Sequence, residues 1–244
     1  MPVITQDFGS FFLTFAYGSS DKTLYGHLAD YSDWESFPPE DPPDNIIYAG
    51  PGNDRVWTGF GNDIAFGGAG NDTLIAWGSG APTPGANSTF YSRLENDILD
   101  GGAGNDVLLA GGGEDLLFGG TGNDELHGGA QADRIFGGSG DDEIWGGGGP
   151  DQLWGGAGAD TFVKALAPST SDADFADGQA DTIFDFEPGT DKLSLAGYQV
   201  AAGEATFTAT ARGLTVSFDF FGSMVSIDLL GVPALQNGDI IYAA

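Results

Sequence analysis

The residues most able to do chemistry here are aspartates that return at every ninth position. From Ala49 the chain reads AGPGNDRVW, TGFGNDIAF and GGAGNDTLI. From Ser92 it resumes as SRLENDILD, GGAGNDVLL, AGGGEDLLF, GGTGNDELH, GGAQADRIF, GGSGDDEIW, GGGGPDQLW and GGAGADTFV. Position six of these units is always acidic: Asp54, Asp63, Asp72, Asp97, Asp106, Asp115, Asp124, Asp133, Asp142, Asp151 and Asp160. Paired carboxylates can hydrolyse glycosides, but a long row of identical ones is better suited to holding hard cations.

The rest of each unit shows what must position them. Position eight is apolar throughout: Val56, Ala65, Leu74, Leu99, Leu108, Leu117, Leu126, Ile135, Ile144, Leu153 and Phe162. Glycines at positions one, two and four predict a tight turn with positive φ angles. The three residues after the acid alternate like a strand, with position eight inward and seven and nine outward. Two units then make one coil of a flattened parallel solenoid, giving one strand to each of two sheets. Stacked coils bring the aspartates within about 4.8 Å of each other. Like charges that close repel, and a divalent cation between them reverses the sign. Calcium takes six to eight oxygens in flexible geometry, while magnesium prefers a tighter octahedron and keeps its waters.

Composition agrees. The chain has 244 residues, 36 acids against seven Lys and Arg, a net charge of -29 and 42 glycines. Seven cations are too few for a nucleic-acid face. There is no cysteine, hence no disulfide or thiolate site. No apolar run reaches the roughly 18 residues of a membrane span. At 41 % hydrophobic the chain is too apolar for simple disorder.

The pattern GGxGxDxUx resembles the calcium-binding nonapeptide of the RTX (repeats-in-toxin) family. Gly67–Ile75 and Gly101–Leu109 match it throughout. The resemblance implies an all-β chain built as a parallel β-roll. It also implies calcium held between each turn and the turn two units on. The ligands would be the eleven aspartates and the turn carbonyls of Gly50, Gly52, Gly59, Gly61, Gly68, Gly70, Gly102, Gly104, Gly111, Gly113, Gly120, Gly122, Gly129, Gly138, Gly140, Gly147, Gly149, Gly156 and Gly158. Roughly seven to nine ions would then offset about half of the formal charge. Gln131 replaces a fourth-position glycine and Ser92–Glu95 lacks the glycine turn, so weaker or empty sites are expected there. A degenerate unit at 40–48 has Asn45 in place of the acid.

Three regions are expected. Residues 1–39 are an aromatic-rich β segment covering one open end; 40–163 are the roll, with an inserted loop at 76–91; 164–244 are a C-terminal β cap. Thr182–Phe186 and Lys192–Leu195 read as strands flanking a Pro-Gly turn, and Ala205–Ala211, Leu214–Phe220 and Met224–Leu230 as further strands. GGAGADTFV followed by DTIFDFEPGTDKLSL is similar to the C-terminal region of serralysin-type, type I-secreted proteins. The acid-plus-apolar ending Asp239–Ala244 resembles their uncleaved export signal. Residues 1–20 hold no Lys or Arg and do not read as a cleaved leader. A secreted location without an N-terminal signal peptide is therefore expected.

No catalytic motif is seen. There is no His-Glu-x-x-His or Gly-x-Ser-x-Gly, and the two histidines, His27 and His127, lie far apart. His127 sits at an outward strand position. Outward position nine is often aromatic: Phe118, Phe136 and Trp154 fall in register on one sheet, and Trp145 beside His127 and Val163 on the other. The expected partners are calcium, the type I export machinery, and further copies of the chain or a surface polysaccharide. The expected role is structural and self-assembling, with a carbohydrate-binding or adhesive module as the second reading and an accessory to a hydrolase as a third.

Overall fold

The computed structural model describes residues 3–7, 11–16, 18, 20–26, 44–59, 61–76, 95–164, 180–196, 200–220 and 223–242. The first strands are β1 (Val3–Asp7), β2 (Phe11–Ala16) and β3 (Thr23–Tyr25). The array supplies β4 (Asp44–Pro51), β5 (Arg55–Trp57), β6 (Ile64–Ala69), β7 (Thr73–Ile75), β8 (Ile98–Ala103) and β9 (Val107–Gly112). It continues with β10 (Leu116–Thr121), β11 (Glu125–Ala130), β12 (Arg134–Ser139), β13 (Glu143–Gly148), β14 (Gln152–Ala157) and β15 (Thr161–Val163). The C-terminal strands are β16 (Asp181–Ile183), β17 (Lys192–Ser194), β18 (Thr206–Ala209), β19 (Gly213–Phe220), β20 (Ser223–Leu230) and β21 (Ile240–Ile241).

Successive array strands alternate between two sheets, and each pairs in parallel with the strand two further on. Leu117 of β10 faces Ile135 of β12, and Leu126 of β11 faces Ile144 of β13, so equivalent residues stack one coil apart. Among the described residues one sheet has 12 strands and the other nine. This is the parallel β-roll that the nine-residue period predicts. Ile64 pairs with Ile98 and Thr73 with Val107, so the register resumes after the interruption. The expected loop at 76–91 lies outside the described residues except for Ala76.

The strands are longer than the three residues expected. In β10, for example, the ladder runs on through the glycine pair, with Gly120 facing Gly138. Backbone pairing does not require side chains, so the first glycines of a unit close the preceding strand. The turn proper shrinks to positions four to six.

The core is two facing files of position-eight side chains, one from each sheet. Leu99, Leu108, Leu117, Leu126, Ile135 and Ile144 are all fully buried. A core of one side chain from each sheet has no further layer from which to repack. Leu126→Ala is therefore expected to cost about 2–5 kcal/mol, read as a lower denaturant midpoint at saturating calcium.

The roll extends beyond the glycine repeats at both ends. β2 pairs in parallel with β4, and β3 with β5, so residues ahead of Asp44 already give a strand to each sheet. β1 is antiparallel to β2 and closes that edge. At the other end, the strands flanking the Pro-Gly turn lie in opposite sheets. β16 pairs with β14 and β17 with β15, which makes them a further coil. β20 and β21 pair in parallel with β16 and β17, and β18–β19–β20 form an antiparallel meander. No helix among the described residues is long and apolar enough to cross a membrane.

Candidate metal centre

The turns form two columns, one along each edge of the roll. Asp54, Asp72, Asp106, Asp124, Asp142 and Asp160 enter the nine-stranded sheet and are continued by Asp191. Asp63, Asp97, Asp115, Asp133 and Asp151 enter the other sheet and are continued by Asp181. All eleven repeat aspartates are buried, none more than 2 % exposed.

One carboxylate oxygen is committed to the fold. The N–H of each aspartate donates to Oδ1 of the aspartate one coil on: Asp72 to Asp106 at 2.6 Å, Asp106 to Asp124 at 2.8 Å, Asp115 to Asp133 at 2.9 Å. The contact between turns two units apart is thus built of protein atoms on this side. The other oxygen is different. Oδ2 of Asp72, Asp106, Asp115, Asp124, Asp133, Asp142 and Asp160 is buried with no hydrogen-bond partner. An unpaired buried acceptor costs about 1–3 kcal/mol, more when charged, so such a row calls for a partner.

The position-one glycines show what borders these oxygens. A Cβ on Gly67 would lie 2.5 Å from Asp72 Oδ2 and 2.6 Å from the Gly101 carbonyl oxygen. A Cβ on Gly119 would lie 2.5 Å from both Asp124 Oδ2 and the Gly137 carbonyl oxygen. Glycine leaves this space open, and a carboxylate and a carbonyl from the next coil border it. That arrangement corrects the reading of position one as a positive-φ residue. Only positions two and four take such angles, as at Gly102 (φ 97°) and Gly104 (φ 134°). The ligand set inferred from the resemblance named only those two positions. Position one was missed because glycine there looks the same whether it is needed for angle or for space.

The donor set fits a hard cation. Among the described residues no three His, Asp or Glu side chains converge, so an ion would take carbonyl oxygens beside its carboxylate. Mixed carboxylate and carbonyl oxygen is calcium chemistry. Calcium bound there would supply positive charge to the free Oδ2 atoms, which Asp72, Asp106, Asp124 and their equivalents would hold.

Without a cation the row resists ionisation. Burial pushes Asp72 and Asp160 up to about 6, and Asp63, Asp106, Asp115 and Asp142 up to about 7. Asp97 rises to about 10, through burial first and then the charges of Asp63, Asp115 and Glu95. Asp133 and Asp151 are raised well above the carboxylate range, again chiefly by burial.

Of the two degenerate turns, Gln131 and Glu95 lie among the described residues and keep repeat positions; Ser92, Arg93 and Leu94 lie outside them. Gln131 adopts φ 78°, closer to the ordinary left-handed well than the position-four glycines, which reach 143° at Gly158. The Glu95 carbonyl stands beneath Gly113 just as the Gly104 carbonyl stands beneath Gly122. A further ladder was not foreseen. Asn71 N–H donates to Asn53 Oδ1, Asn105 to Asn71 and Asn123 to Asn105, so position-five asparagines satisfy the outer turn amides.

On the outer face of the 12-stranded sheet the aromatics stack. Phe15, Tyr48 and Phe66 form one run, and Phe118, Phe136, Trp154 and Phe184 a second, with centroids 4.2–5.2 Å apart. Asp100 lies in register between the runs. His127 stacks on Trp145 and its Nε2 is 2.8 Å from Glu125 Oε1. His27 lies outside the described residues.

The sequence profile described as "RTX calcium-binding nonapeptide repeat (4 copies)" matches residues 44–74, 91–126 and 127–162. No curated protein matches the chain. Among solved structures, it is similar to the AlgE6R3 subunit of the mannuronan C5-epimerase from Azotobacter vinelandii. That likeness has 23 % identity, covers 54 % of this chain and 81 % of the other, and has a TM-score of 0.23. The extracellular lipase LipA from Serratia marcescens aligns at 17 % identity over 95 % of this chain and 40 % of the lipase, with a TM-score of 0.26. TM-scores this low give neither likeness any weight for activity. The repeat match and the stacked turns agree: residues 44–74 and 91–162 carry RTX calcium-binding nonapeptide repeats.

Proposed function

We propose that this chain is an extracellular RTX protein that is exported unfolded by a type I system and folds when it meets calcium. It then serves as a structural subunit of a matrix, surface layer or filament. The carrying observation is the buried row of carboxylates whose Oδ2 atoms have no protein partner. Where calcium is scarce, repulsion along this row keeps the chain open and fit for export. Where calcium is plentiful, binding to the folded state alone draws the equilibrium toward the roll. The aspartates and position-one carbonyls bind, and the position-eight files close behind them.

The stacked aromatic face supports assembly, since exposed apolar stripes mark interaction surfaces. It equally favours a second reading, a module that binds surface carbohydrate. Light scattering and negative-stain microscopy against calcium concentration test the first. Particles are expected to grow in calcium and to stay small for Trp154→Ala. A wild-type chain that remains monomeric at every calcium level would overturn assembly. A glycan screen in calcium with the same variant then tests the second reading.

A further inference from the structure

The chain has only seven cationic side chains, three of them lysines: Lys22, Lys164 and Lys192. Two of the three are buried at opposite ends of the two turn columns.

Lys22 stands where the repeat has its aspartate. Thr23 pairs with Arg55, Arg55 N–H donates to the Lys22 carbonyl, and Lys22 N–H donates to Asp54 Oδ1 at 2.8 Å. Asp54 itself makes the same contacts to the next coil. The Lys22 ammonium turns into the space beneath the turn. There it meets Asp54 Oδ2 at 3.0 Å and the carbonyl oxygens of Pro51 (2.7 Å), Ser20 (3.1 Å) and Gly18 (3.4 Å). One carboxylate and three carbonyls are the kind of oxygen set that the neighbouring turns offer a metal. The Lys22 side chain is 7 % exposed.

Lys164 stands where the repeat has its first glycine, one coil beyond Gly146. Its N–H donates to Ser194 O, as Ala76 N–H donates to Leu109 O. Its ammonium lies 2.6 Å from Asp181 Oδ2 and 3.2 Å from the Gly147 carbonyl oxygen. Asp181 Oδ1 receives the Asp151 N–H, so this carboxylate continues the column.

We propose that Lys22 and Lys164 are resident cations that fill the first turn site of one column and the last site of the other in place of calcium. The inference rests on the calcium reading of the remaining turns. Its consequence is that each column has one end neutralised by the chain itself, and calcium is not needed at that end.

Calcium stoichiometry by titration calorimetry tests it. Lys22→Asp, which restores the repeat acid, and Lys164→Gly, which restores the repeat glycine, are each expected to bind one more ion per chain than wild type. Lys22→Met adds no ligand and is expected to bind no extra ion, with a lower melting temperature in calcium. Unchanged stoichiometry in both restoring variants, with β structure intact by circular dichroism, overturns the proposal. A wild-type chain that binds no calcium overturns the underlying reading instead. Acetylation of the calcium-loaded wild type gives a readout that needs no variant. Lys192, whose side chain is 35 % exposed, is expected to react while Lys22 and Lys164 are protected. Equal reaction at all three lysines overturns the proposal as well.

Discussion

In a calcium chelator at pH 8 the chain is expected to lose most of its β signal in far-ultraviolet circular dichroism, and to recover it at pH 5 with the chelator still present. The direction follows from the carboxylates. Their ordinary value is near 3.8, and burial in the metal-free roll raises Asp72 and Asp160 to about 6 and Asp63, Asp106, Asp115 and Asp142 to about 7. Between these limits the folded chain binds more protons than the unfolded one. Stability of the metal-free roll therefore falls as pH rises through 6 and 7, and acid restores it. Asp97, at about 10, stays protonated longest and extends the window upward.

Calcium reverses the dependence. It binds the ionised carboxylate, so protons compete with it and its affinity falls on acidification. With calcium the β signal is expected to persist at pH 8. A site at a hundred times its dissociation constant adds about 2.7 kcal/mol, and several sites together exceed the usual stability of a domain. A chelated chain as β-rich at pH 8 as in calcium would sink the linkage. So would a chelated chain less folded at pH 5 than at pH 8.

The second large effect is expected from a single methyl group. Gly122 sits at φ 120° and a Cβ there would run into the carbonyl oxygen of Gly104 in the coil before. The left-handed backbone alone costs about 1–2 kcal/mol, and the overlap with backbone adds to it because neither coil can withdraw without opening the ladder. Gly122→Ala is expected to raise the calcium concentration needed for folding several-fold and to lower the denaturant midpoint. Gly231→Ala is the matched control: its φ is 76° and nothing lies within 4 Å of the added Cβ. It is expected to show the backbone cost only, about 1–2 kcal/mol. Equal losses in the two variants would mean that coil-to-coil contact is not what position four protects.

The periodic part of this molecule was readable because one short rule is repeated. Asp106 and Leu108 recur in kind every nine residues, and that phase alone sets the sheets, the inward files and the stacking of the acids. The parts that escaped are those where the same geometry is reached without the rule. β2 and β3 pair into the roll with only Gly18 left of the glycine turn to announce them, and β16 and β17 look like a hairpin because only the Pro-Gly turn between them is conspicuous. Lys22 and Lys164 occupy repeat positions six and one, but a lysine where an acid or a glycine belongs reads as the end of the pattern. Only the oxygen atoms around its ammonium show the pattern continuing with the charge reversed. Position-five Asn53, Asn71 and Asn105 were visible as letters, but their ladder needed the coils to be stacked before it had meaning.

Equivalent residues in this chain pair 18 apart, Leu117 with Ile135 and Leu126 with Ile144. The molecule is thereby a ruler graduated in steps of about 4.8 Å. Gain or loss of a whole pair of units changes its reach and leaves both faces as they were. Gain or loss of a single unit exchanges the faces beyond that point, carrying Phe136 and Trp154 to the side now held by His127 and Trp145. Length in this architecture can drift by recombination, but only in even numbers of units.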